Sequence, residues 1–149
     1  MVSIDLKRFG IAWLVVSSTM FLLSYIWHGV ILNDFNRLFI EKNIYLSIMS
    51  ITYLALGLLV TGLNQLLNSD KASFYKAALI GAGIGFFVYL IAFVFGVSFD
   101  KSKQIAHIAL DLTWQILEQG FGGFICAVVF NVFTVITRAH SRISMRESV

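Results

Sequence analysis

Between positions 107 and 122, His107, Asp111, Trp114, Gln115, Glu118 and Gly122 recur three or four residues apart. On a helix that spacing gathers them on one face. Far upstream, His28 stands next to Trp27 and is followed closely by Asn33 and Asp34. If the two segments meet, His28, His107, Asp111 and Glu118 line one polar pocket, the only constellation in the sequence able to carry chemistry.

Two chemistries suit such a pocket. A histidine and an aspartate four residues apart can share one metal ion, and His28 would complete a set of His28, His107 and Asp111. Glu118 lies seven residues past Asp111, about 10 Å along a helix axis, too far to join the same ion easily. The two histidines could instead be axial haem ligands. The other chemistry is proton or solute handling by His28, Asp111, Gln115 and Glu118, because a carboxylate in a low-dielectric helix interface can exchange a proton with a nearby histidine. The bland alternative is structural: Trp27 and His28 at an interface, the acids and Gln115 and Gln119 bonded across helices or to water. No HExxH, Glu-x-x-His or paired CxxC motif occurs, so no cofactor is specified. The lone Cys126 sits in the apolar run FICAVVF and reads as a buried, inert thiol.

Nucleophilic catalysis has little to work with. Ser17, Ser18 and Thr19 are small polar residues of the kind that bond to helix backbones, and no GxSxG occurs. His140 belongs to the basic tail RAHSRISMRES, which reads as a topology anchor near anionic lipid.

The elements that must position these residues are apolar to an extent that excludes a soluble domain. Hydrophobic residues make up 58% of the 149 and charged residues 13%, and the mean hydropathy is +0.84. Soluble domains carry about 25% charged residues. The remaining apolar surface must be covered by lipid, and fourteen Phe, three Trp and five Tyr suit a lipid-facing surface with aromatic interfaces. The net charge of +3 forms no basic stripe, so nucleic acid is not an expected partner.

A spanning helix needs about 20 mostly apolar residues. The sequence predicts spans at 9–32, 44–67, 77–99 and, with a less defined start at 105 or 117, up to 137. The first is too long for a secretory h-region and is expected to be retained. Segments two and three are apolar around their whole circumference, which argues against amphipathic soluble helices. No run alternates with period two, which argues against a β-barrel. Short connections predict one all-α domain over 1–149, a four-helix transmembrane bundle running up-down-up-down. Proline is absent, so no proline kink is expected.

Orientation follows from the basic residues. Lys7, Arg8, Lys71, Lys76, Arg138, Arg142 and Arg146 fall on one side, against Arg37, Lys42, Lys101 and Lys103 on the other. The larger set marks the cytoplasmic side, with both termini there, in a bacterial inner membrane. Counting about 20 residues back from Arg138 puts the membrane entry of the fourth helix near Glu118, so its acids are expected at the outer headgroup level.

Gly81 and Gly85 in the third segment, and Gly120 and Gly123 in the fourth, make smooth strips that let another helix approach. With tiny loops and no catalytic motif, these strips point to a non-catalytic accessory or assembly subunit packed against other membrane helices, in a homo-oligomer or a larger complex. A ligand-, metal- or haem-binding protein is the alternative, and a small transporter the next. Neither YIWHGVILNDF nor DLTWQILEQGFGG matches a motif of known activity.

Overall fold

Four helices account for nearly all of the chain. The structure is a computed structural model and describes residues 6–68, 72–95 and 105–147. Helix α1 (Leu6–Ser24) runs into a π-helical segment (Tyr25–Ile31), and a short 3-10 turn (Asp34–Arg37) leads to α2 (Lys42–Leu67). Helices α3 (Phe74–Phe95) and α4 (Ile105–Glu147) follow. Among the described residues there is no strand.

Each helix includes a stretch long and apolar enough to cross a membrane, over Leu6–Ile31, Lys42–Leu67, Phe74–Phe95 and Ile105–Ala139. The protein is therefore a multi-pass, all-α membrane bundle. Helices α1 and α2 begin a few residues before the predicted spans, and α3 begins at Phe74 rather than at 77. The predicted end of the third span at 99 lies outside the described residues. So do Ser69, Asp70, Lys71 and the 100–103 stretch with Lys101 and Lys103. The fourth apolar stretch ends at Ala139, two residues past the predicted span end at 137, while helix α4 itself continues to Glu147. Arg138 marks a change in polarity, not a helix terminus: no glycine or proline follows it, and arginine and alanine are good helix formers.

Helix α4 is the central element, packing against α3 over most of its apolar length and also against α1 and α2. Its contact with α3 is backbone to backbone. An added Cβ at Gly81 would strike the Gln119 carbonyl, at Gly85 the Gln115 carbonyl, and at Gly123 the Ala77 carbonyl. Gly120 is looser, with the Ala78 carbonyl at 3.4 Å. The small-residue strips thus join two helices of the same chain. Against α1, the same helix places Gly122 on Met20 and stacks Trp114 on Trp27 at 4.2 Å and 6°. Helix α1 meets α2 where the Ser17 hydroxyl packs on Gly57 and Trp13 Nε1 donates to the Leu54 carbonyl at 2.8 Å. Every chain-adjacent pair runs antiparallel.

The bundle interior is less apolar than the hydropathy of α2 suggests. Ser17, Ser24, Thr61, Asn64, Glu118 and Gln119 are buried together with Val16, Met20, Val60, Cys126 and Ala127. Helix α2 is apolar all round by composition, yet its Tyr53, Thr61 and Asn64 lie on the inward face. Asn64 is satisfied locally, donating to the Val60 carbonyl and accepting from Asn68.

Candidate functional site

The predicted stripe on α4 divides into two. Trp114, Glu118 and Gly122 turn toward α1 and α2, where they meet Trp27, Tyr53 and Met20. Asp111, Gln115, Gln119 and Gly123 turn toward α3: Asp111 lies near Tyr89, while the Gln115 and Gln119 backbones abut Gly85 and Gly81. Residues four apart on a helix are separated by about 40° at 3.6 residues per turn, so two adjacent stripes can serve two neighbours. The single polar face read from spacing is thus two faces.

His28 finds its partner locally. The π-helical turn, marked by the Leu32 N–H bonded to the Trp27 carbonyl at 2.9 Å, carries Tyr25 to Ile31. Such wide turns collect at functional positions. Asn33 then takes a left-handed conformation, φ 55°, which reverses the chain. Asparagine tolerates that conformation better than most residues. The reversal brings the Asp34 carboxyl to 3.0 Å from His28 Nδ1. It also lays the Phe35 ring over Gly29, where a side chain would collide with it. Tyr25 and Tyr45 hold that ring edge-on at 5.3 and 5.7 Å.

His107 is exposed near the start of α4. Among the described residues no three His, Cys, Asp or Glu side chains converge at a metal-binding distance. The structure therefore pairs His28 with Asp34, and does not gather the His28, His107 and Asp111 set.

Glu118 lies deeper than the outer headgroup level expected for it. It faces Tyr53, the middle of α2, with about 16 Å of helix to one end and about 21 Å to the other at 1.5 Å per residue. Its neighbour Gln119 meets α3 between Gly81 and Gly85, again mid-helix. Counting back from Arg138 misplaces it because the apolar part of α4 extends far to the N-terminal side of Glu118, over a span of Ile105–Ala139.

At that depth Glu118 is 2% exposed. The Tyr53 hydroxyl and the Trp114 indole N–H face its carboxyl, yet neither carboxyl oxygen is in a formed hydrogen bond. Tyr53 in turn faces the Ser24 hydroxyl on α1. Gln119 is fully buried, and its amide is also without a partner. Buried polar atoms are nearly always bonded, so these two adjacent residues stand out.

Two recesses reach Tyr53. One, of about 230 Å³, is lined by Ser24, His28, Tyr45, Thr52 and Tyr53 together with Met49 and the exposed Ile48. The other, of about 430 Å³, involves Ser17, Ser18, Phe21, Ser50 and Tyr53, and its exposed Leu22 and Leu54 make it lipid-facing. Tyr53 and Ser24 carry no sequence signal that separates them from packing residues. No protein-family model, curated protein or solved structure matches the chain.

Proposed function

We propose that this membrane protein handles protons, with Glu118 as the group that gains and loses the charge. The observation behind this reading is a carboxyl at mid-bundle, 2% exposed, with neither oxygen bonded. An ionisable side chain inside a membrane bundle is costly and is a functional group by default. The surroundings suit a proton better than a metal ion. The nearest groups, Tyr53 O–H and Trp114 N–H, are donors rather than additional ligands. As an anion the carboxylate can accept from both. As an acid it can donate to the Tyr53 oxygen. A small side-chain adjustment serves either state. The basic-residue balance supports an orientation with both termini cytoplasmic and the His28 end outward.

The test is proton flux into liposomes under an imposed potential, read with an entrapped pH dye. The parent is expected to conduct, and Glu118→Gln, similar in shape but unable to titrate, is expected to fall to the rate of protein-free vesicles. A Glu118→Gln protein as active as the parent, or a parent no faster than empty vesicles, removes the reading.

A second reading, an accessory subunit that packs against foreign membrane helices, draws on a different surface. A lipid-facing groove of about 370 Å³ runs between α3 and α4, floored by Ala78, Ala82 and Gly120 and flanked by Phe121 and Phe124. Native mass spectrometry after gentle extraction is expected to show a foreign chain that Ala82→Trp, filling the groove, displaces. Extraction as a bare monomer of 16.7 kDa overturns it.

A further inference from the structure

Glu118 is not equally distant from the two ends of the bundle. Toward the Arg8 end the interface of α1, α2 and α4 is filled by Val16, Met20, Val60, Cys126 and Ala127, all fully buried, with the buried polar side chains of Ser17, Thr61 and Asn64 among them. Toward the His28 end, the recess of about 230 Å³ has His28, Ser24, Thr52 and Tyr53 in its lining. The Tyr53 hydroxyl faces the recess residue Ser24 and the Glu118 carboxyl. One phenol ring therefore stands between the recess and the acid. His28, which lines the recess, is paired with Asp34, the two side chains being 30% and 38% exposed.

We propose that Glu118 exchanges its proton with the His28 end alone in this conformation, and that Tyr53 is the positioning residue through which the proton passes. The proposal rests on the reading of Glu118 as the proton-carrying group, and adds the side of access and the route.

The chemistry of each step is ordinary. With Asp34 ionised, His28 donates its Nδ1 proton to the carboxylate, which leaves Nε2 as the basic nitrogen able to take a proton from water. In the recess, hydroxyls of Ser24, Thr52 and Tyr45 offer partners to water. Tyr53 then gives its hydroxyl proton to Glu118 while accepting one from the Ser24 side, so the phenol ends unchanged. Other polar groups do not bypass it. Trp114, on α4 itself, offers an N–H that does not titrate, and Gln119 presents an amide. From α3, Tyr89 donates its hydroxyl to the Ile108 carbonyl at 2.9 Å and accompanies Asp111 on the other face of α4. The groove that also ends on Tyr53 is lined, Tyr53 apart, by no titratable side chain, whereas the recess has His28 and Tyr45.

The experiment reads deuterium exchange at Glu118 directly. The infrared carboxyl band that disappears in Glu118→Gln is followed after mixing liposome-bound protein with acidic deuterium oxide. Tyr53→Phe keeps the ring and removes the relay, and is expected to slow the exchange roughly tenfold or more, a factor well above packing noise. Thr52→Cys, modified with a charged thiol reagent, is expected to slow it similarly by blocking the recess. The same modification of Gln65→Cys, toward the Arg8 end of α2, should leave the rate unchanged; native Cys126 is fully buried and spared. Exchange slowed at position 65 but not at 52 or 53, or unaffected by all three, overturns the route while leaving Glu118 as the proton carrier. Loss of any band assignable to Glu118 overturns the underlying reading and the route together.

Discussion

Gly81→Ala, Gly85→Ala and Gly123→Ala are each expected to lower the melting temperature of the detergent-solubilised bundle by several degrees, a loss of about 1–3 kcal/mol per methyl group. The obstacle in all three cases is a backbone carbonyl of the facing helix, which has no rotamer to move. The helices must separate, and the α3–α4 contact, the most extensive in the molecule, loosens along its length. Other glycines provide the control. At Gly122 the obstructing atom is the sulfur end of Met20, a flexible side chain, and at Gly120 the contact is an ordinary 3.4 Å. At Gly10, Gly62 and Gly83 nothing lies within 4 Å of the added carbon. Alanine there is expected to be neutral or to stabilise by up to about 1 kcal/mol through helix propensity. Equal losses at Gly83 and Gly81 would mean that α3 presents a different face to α4.

The same glycines show how far the sequence could be read. Four long apolar runs separated by short polar stretches suffice for the bundle, because nothing but a helix satisfies its own backbone in lipid. Gly81 and Gly85 announce a close contact by their spacing, but spacing does not say whether the other helix belongs to the same chain. The stripe on α4 is ambiguous for a related reason. Asp111 and Trp114 are close in angle, and only the positions of α1 and α3 assign one to Tyr89 and the other to Trp27.

The acid–histidine pairing was hidden more deeply. His28 and Asp34 are six residues apart, which is no helical neighbour spacing. They meet because the chain widens into a π turn and then reverses at Asn33. Gly29 is legible only in retrospect, as the gap that admits the Phe35 ring. Tyr53 was hidden because a tyrosine in an apolar segment ordinarily serves packing or an interface. Its role depends on a neighbour sixty-five positions away, and no local pattern encodes that. Depth was the other loss: Arg138 marks the apolar edge to within a residue, but a count of about 20 residues back from it falls short of a span that starts at Ile105.

The effect that best separates a functional carboxyl from a structural one is expected from Glu118→Met. Methionine is unbranched, similar in volume and able to adapt to an irregular space, so the substitution leaves no sizeable cavity. It removes two buried oxygens that are in no formed hydrogen bond. Unsatisfied buried groups cost about 1–3 kcal/mol, and the variant is expected to be more stable than the parent by that order. Glu118→Gln should gain less, since its amide brings new polar atoms into the same unsatisfied position. Both variants should be inactive in the flux assay. Stability rising while activity vanishes is the pattern of a group retained for its work rather than for the fold. The measurement is unfolding of the parent and both variants in one lipid–detergent mixture, with activity of the same preparations. A Glu118→Met protein less stable than the parent would mean that Tyr53 and Trp114 hold the carboxyl in hydrogen bonds that stabilise the bundle. Glu118 would then be a rivet between α2 and α4, and its loss of flux would reflect a damaged fold.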